Sequence, residues 1–110
     1  MRYLFLLYGD PDGEAALTPE ERRAVVAGHT ALGRELVAAG RLHAAQALGA
    51  DVHVLRADGT VTDGPYAETK EQLGSVHLVD CADAAEALAL ARRMPASPGL
   101  VVEIRAVLEV

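Results

Sequence analysis

Two long helical patterns, each set between strand patterns, predict an α+β domain in which one antiparallel sheet carries both helices on the same face. Three observations carry that prediction. The elements run β-α-β-(β-hairpin)-β-α-β, no linker or internal repeat interrupts the 110 residues, and the first strand is apolar on both of its faces. A chain of this length is one domain, residues 1–110, large enough for a single core. With 51% hydrophobic residues but only three Tyr, one Phe and no Trp, that core is built from Leu, Val and Ala.

Tyr3–Tyr8 opens the chain as a strand, with Tyr3, Phe5 and Leu7 on one side and Leu4, Leu6 and Tyr8 on the other. A strand apolar on both sides needs cover on both. The next stretch, "YGDPDGEAAL", is rich in turn formers and reads as a loop; its "DPDGE" lacks the glycine position and the distal glutamate of a calcium loop. "LTPEERRAVVAGHTALGRELVAAG" is a helix: Thr18 caps it, Pro19 takes the first position, Glu21 completes a capping box and Gly40 stops it. Val25, His29, Leu32 and Leu36 fall on one stripe of that helix. Leu42–Leu48 and Val52–Arg56 read as strands, and Asp58-Gly59 as a two-residue hairpin turn from which Val61 returns.

Asp63–Gly74, "DGPYAETKEQLG", is a polar interlude in which Glu68, Lys70 and Glu71 are placed to pair on a short helical turn or to meet a polar ligand. Val76–Val79 is a further strand, Asp83–Met94 a helix capped by Asp83 and ended by Pro95, and Leu100–Val107 the last strand. This is the order of a ferredoxin-like sandwich with an inserted hairpin. Two helices cover only one face of such a sheet, so the other face is expected to meet a second copy of the chain, giving a homodimer packed sheet to sheet.

Charge and composition exclude several function classes. The formal net charge is −6 and no stripe of Lys or Arg forms, which argues against nucleic acid. The Val52–Arg56 strand also lacks the stacking aromatics of an RNA-binding sheet. Cys81 is alone and forms no internal disulfide, which suits a reducing cytoplasm. The apolar run in "MRYLFLLYGD" is too short for a signal peptide, and no stretch approaches the ~20 apolar residues of a membrane span. The excess of arginine over the single Lys70 reads as the coding bias of a GC-rich genome.

Five residues or clusters come into question for chemistry. His29 faces inward from its helix, either as a core histidine bonded to backbone or as an acid or base at the floor of a cleft. His43, His53 and His77 lie on expected strands, and with His29 they raise the question of a metal. No His-x-His, His-x₃-His or Cys-x-x-Cys spacing supports one, so no metal or other cofactor is expected. Cys81 reads as a small buried residue. In the polar segment, Asp63, Tyr66, Glu68, Lys70 and Glu71 form either a self-paired loop or a set of ligand contacts at the rim of the sheet. Tyr8 and Asp10, at the end of the first strand, form a third and weaker candidate; an acid there could orient a ligand or His29, although Asp10 reads first as a turn cap.

These residues carry a family resemblance. "DGPYAETKEQLG", following "YLFLLYGD" and preceding a strand that ends "LVDC", resembles the DGPF branch of the YCII-related domain family, with Tyr66 in place of the signature's Phe. "LTPEER", the "AAG" before the second strand and "VEIR" in the last strand fit the same pattern, so the likeness spans the chain. The resemblance implies a dimeric α/β barrel of two ferredoxin-like protomers. It also implies a catalytic histidine on the first long helix, matched by His29, paired with an aspartate in an Asp-Pro-Tyr after the second. Here "MPASPGL" holds no such aspartate, and Asp63 or Asp10 would have to substitute. The expected function is binding of a small organic metabolite in a cleft lined by His29 and the Asp63–Lys70 loop, with cofactor-independent isomerase or lyase chemistry. In that scheme His29 moves the proton, Asp63 orients it, and Tyr8, Asp10, Tyr66, Glu68 and Lys70 contact the ligand. The alternative is a non-catalytic protein-binding module of an extracytoplasmic-function sigma factor pathway, a genetic association the family resemblance implies.

Overall fold

The computed structural model describes residues 1–109. Among these residues nine elements follow one another: β1 (Arg2–Gly9), α1 (Pro11–Ala15), α2 (Pro19–Ala38), β2 (Leu42–Ala47), β3 (His53–Leu55), β4 (Val61–Asp63), β5 (Gln72–Asp80), α3 (Ala84–Ala91) and β6 (Val101–Ala106). Four strands form the main sheet in the order β2-β5-β1-β6, every neighbour antiparallel, and β3 and β4 form a separate two-stranded ribbon. The mixed α+β architecture and strand order are compatible with a ferredoxin-like fold.

The apolar alternation of β1 decides which face is covered. Tyr3, Phe5 and Leu7 are buried, and they pack with Val79 of β5, Leu32 and Leu36 of α2, and Ala87 and Leu90 of α3 into one cluster closed by Cys81 and Met94. Both long helices therefore share a face. On the opposite face Leu4 and Leu6 of β1 stand across from Leu78 and Val76 of β5 and remain half-buried. The molecule measures 44 × 43 × 20 Å. A thickness of that order is one sheet and one layer of helices, which meet at about 10 Å.

The α2 capping box forms as the sequence dictates, with the Glu21 amide donating to the Thr18 hydroxyl at 3.1 Å and the Thr18 amide to the Glu21 carboxylate at 2.9 Å. Gly40 takes the left-handed backbone of a helix stop, with φ of 69°. Elsewhere the structure corrects the sequence reading. The turn-rich stretch after β1 contains the short helix α1, because Asp10 caps it through a hydrogen bond from the Asp12 amide and Pro11 fits its first turn. Strand β5 starts at Gln72, four residues before Val76, because a bulge opposite Leu7 and Tyr8 absorbs Gly74 and lets the ladder continue. Glu68, Lys70 and Glu71 consequently lie in irregular chain between β4 and β5, with no helical turn.

The hairpin also differs from expectation. Its register pairs His53 with Asp63 and Leu55 with Val61, and the Arg56 amide donates to Thr60 at 2.8 Å. The loop therefore spans Ala57, Asp58 and Gly59, with Gly59 at φ 90°, where the sequence suggests two residues. A three-residue loop ending in a left-handed glycine is the next commonest hairpin solution after the two-residue turn.

Candidate functional site

A gap between α2 and the edge of the sheet follows from small side chains. Ala45 and Ala47 of β2 face the helix, and α2 presents Gly33 opposite them. Neither side can fill the space, and a cleft of about 440 Å³ opens there, walled by Val26, Leu32, Leu36 and Met94. His29 of α2 and His77 of β5 form its polar floor. The register places His77 beside Phe5 on the helix-covered face, and its ring lies 6.1 Å from that of His29, with 18° between the planes. Both imidazoles are half-buried. Burial holds the pKa of each below the ordinary histidine value, and the neighbouring His29 lowers that of His77 further. At neutral pH the two rings are neutral, able both to donate and to accept.

His29 also reaches a second cleft of about 310 Å³ beyond the C-terminal end of β1, where Glu14, Arg22, Ser75 and Ser97 contribute polar atoms. A third cleft, about 590 Å³, lies at the base of the hairpin and is lined by Asp51, His53, Tyr66, Thr69 and Glu71 among others. Tyr8 and Leu48 border both the second and the third.

The expected site residues distribute over these spaces as follows. His29 sits in the first two clefts. Asp63 faces His53, its carboxylate 2.8 Å from Nδ1, while Asp51 approaches the Nε2 of the same ring at 3.1 Å. Asp63 is thus tied to the hairpin and does not line either cleft that His29 reaches. Carboxylates on opposite ring nitrogens cannot converge on one ion. Among the described residues no group of three or more His, Cys, Asp or Glu side chains is placed to hold a metal.

Asp10 is buried, caps α1, and lies 3.5 Å from the exposed Lys70 ammonium. Gly99, at φ 70°, presses on it so closely that an added Cβ would meet the Asp10 backbone nitrogen at 2.9 Å. Tyr66 is exposed in the third cleft, with the Arg56 guanidinium 5.6 Å from its ring centroid. Glu68 is exposed. Tyr8 donates its hydroxyl to Glu103 at 3.1 Å on the uncovered face, and that hydrogen bond raises the phenol pKa. His43 lies 2.7 Å from Asp80, whose carboxyl is held below its usual value by that contact. Cys81 is buried.

His77 is the residue that sequence reasoning did not single out for this site. Its signal was the alternation Ser75, His77, Val79. In "SVHLVD", however, Val76 and Leu78 are as apolar as Val79, so the inward face of β5 is fixed only by its pairing with β1.

Comparison with known proteins places the chain in a family. The model of the YCII-related domain matches residues 1–110. A protein of Rhizobium meliloti (strain 1021), described only as uncharacterised, is 38% identical over 97 residues, which cover 84% of this chain and 78% of the relative.

Proposed function

This chain belongs to the YCII-related domain family, and we propose that it binds a small organic molecule beside α2 and transfers a proton on it without a cofactor, as an isomerase or lyase. The observation that carries this reading is His29: a half-buried, neutral imidazole that opens on two clefts of small-molecule size. The Asp63–Gly74 run supports placing the protein in the DGPF branch of the family. The lone Cys81, buried and unpaired, suits a cytoplasmic home.

In this mechanism His29 takes a proton from the bound molecule and either returns it at another atom of the same molecule, as an isomerase, or gives it to the group that leaves as the neighbouring bond breaks, as a lyase. Its neutral form is the one a base requires, and the low-polarity walls strengthen any hydrogen bond it makes. Asp63 acts at a distance by fixing His53 at the hairpin cleft, and Lys70 by neutralising Asp10 at the end of β1. Tyr66 and Glu68 are exposed, free to meet a molecule approaching along the polar segment. The working unit is a homodimer joined through the uncovered sheet face.

Thermal-shift screening of a metabolite library against the wild type and His29→Ala tests the reading. Compounds that stabilise the wild type and not the variant are expected, and at least one should be turned over only by the wild type. Equal turnover by His29→Ala removes the catalytic role.

A further inference from the structure

The four histidines divide into two kinds. His43 and His53 each hold a carboxylate, Asp80 at 2.7 Å and Asp63 at 2.8 Å. Among the described residues His29 and His77 hold only each other, across the floor of the β2-edge cleft. In a chain of net charge −6, not one Asp, Glu, Lys or Arg among the described residues lines that cleft.

The geometry points to a binding site in the β2-edge cleft for small monocarboxylic acids with a compact apolar body, in which His77 is a second ligand-contacting residue beside His29. The inference rests on the proposed small-molecule function and names its ligand class and its second polar contact. A carboxylate would supply to this pair what the protein itself supplies to His43 and His53. Its apolar body would lie against Val26, Leu36 and Met94, and Ala45 and Ala47 leave the room.

Charge complementarity selects an anion. Among the described residues lining the cleft, the imidazoles are the only groups that gain charge in the neutral range, and the charge they gain is positive. Surrounding elements do not pre-empt it. Glu14 of α1 and Arg22 of α2 border the adjoining cleft with opposite signs, β2 contributes the neutral Gln46, β5 adds Ser75, and the chain after α3 adds Met94 and Ser97. The free pair is neutral at pH 7, its pKa values lowered by burial. When a carboxylate binds, one imidazole nitrogen takes a proton from solvent, an N–H bond forms, and an imidazolium faces the anion. Nothing is oxidised or reduced. Binding therefore takes up about one proton, and affinity weakens toward tenfold per pH unit as pH rises above 7.

The test uses benzoate, hexanoate and octanoate as probes, with benzamide and hexanamide as neutral counterparts. Titration calorimetry in phosphate and in Tris should give an uptake near one proton for a carboxylate, and weaker or absent binding for the amides. NMR titration of the histidine side chains of the wild type should show the pKa values of His29 and His77 rising on addition of benzoate. His77→Gln and His29→Gln, once shown by circular dichroism to be folded, should each weaken binding about tenfold or more.

Amides binding as well as acids, or acids binding without proton uptake, would overturn the inference, as would unchanged affinity in folded His77→Gln. If neutral molecules act through His29 while carboxylates do not bind, this inference fails and the proposed function stands. If no molecule of any charge binds, both fall.

Discussion

At the scale of single residues, the His29–His77 pair sets a pH dependence whose sign is fixed. Both folded-state pKa values lie below the value of about 6.5 expected in the unfolded chain. As pH falls through 6.5 the unfolded chain therefore binds protons before the folded one does, and stability drops; above 6.5 the contribution is fully present. Thermal melts at pH 7.5 and 5.5 should show a larger decrease for the wild type than for a His29→Gln, His77→Gln double variant. An identical decrease would mean that the pair is as protonatable in the folded protein as in the unfolded one. His29 was legible in the sequence, because three-and-four spacing with Val25, Leu32 and Leu36 fixes a helix face without any knowledge of neighbours. His77 was not, because a strand apolar on both sides reveals its inward face only through its partner. Asp63 shows the same limit. One extra residue in the hairpin loop, Ala57, moves the register by one and delivers Asp63 to His53.

At the scale of elements, the cleft exists because β2 is poor in bulk. Its sequence, LHAAQA, keeps strand geometry through pairing with β5 but offers α2 only the methyl groups of Ala45 and Ala47. Local propensity and capping made α2, β1 and β6 readable, since each of those elements is specified by its own residues. The void between α2 and β2 was not readable, because it depends on which small residues end up opposite one another. Ala45→Leu should fill the cleft beside His77. The expected outcome is a melting temperature equal to or above that of the wild type, with loss of the stabilisation that small molecules confer. Ligand-induced shifts that survive in Ala45→Leu would place binding in one of the other two clefts. The polar segment before β5 had the opposite fate. Its residues looked like a unit in sequence, yet Asp63 serves the hairpin, Lys70 reaches Asp10, and Gln72–Gly74 belong to a strand and its bulge.

At the scale of the whole molecule, the imbalance between the two sheet faces is the feature that asks for an explanation. A slab 20 Å thick has room for one helical layer, and both long helices lie on the Tyr3–Phe5–Leu7 side. The other side presents Leu4, Leu6, Val76 and Leu78 half-buried and Val101 at 51% exposure. The molecule's two long dimensions are 44 and 43 Å, against the roughly 800 Å² that a stable interface needs from each partner. At the β6 edge of that face, Glu103 and Arg105 form an ion pair at 2.6 Å, and Glu103 also accepts from Tyr8. These polar groups border the apolar residues on the β6 side, which is compatible with the proposed contact between two copies. Leu6, flanked by Val76 on β5 and Glu103 on β6, is a central position on that face. Leu6→Arg should leave the far-UV circular dichroism unchanged, because the helices pack against the other side of β1. It should also reduce the mass measured by sedimentation equilibrium from two chains to one, since two arginines would meet across a two-fold axis in an apolar layer. A wild-type protein that sediments as a monomer would rule out the dimer, and the uncovered face would then need a different partner.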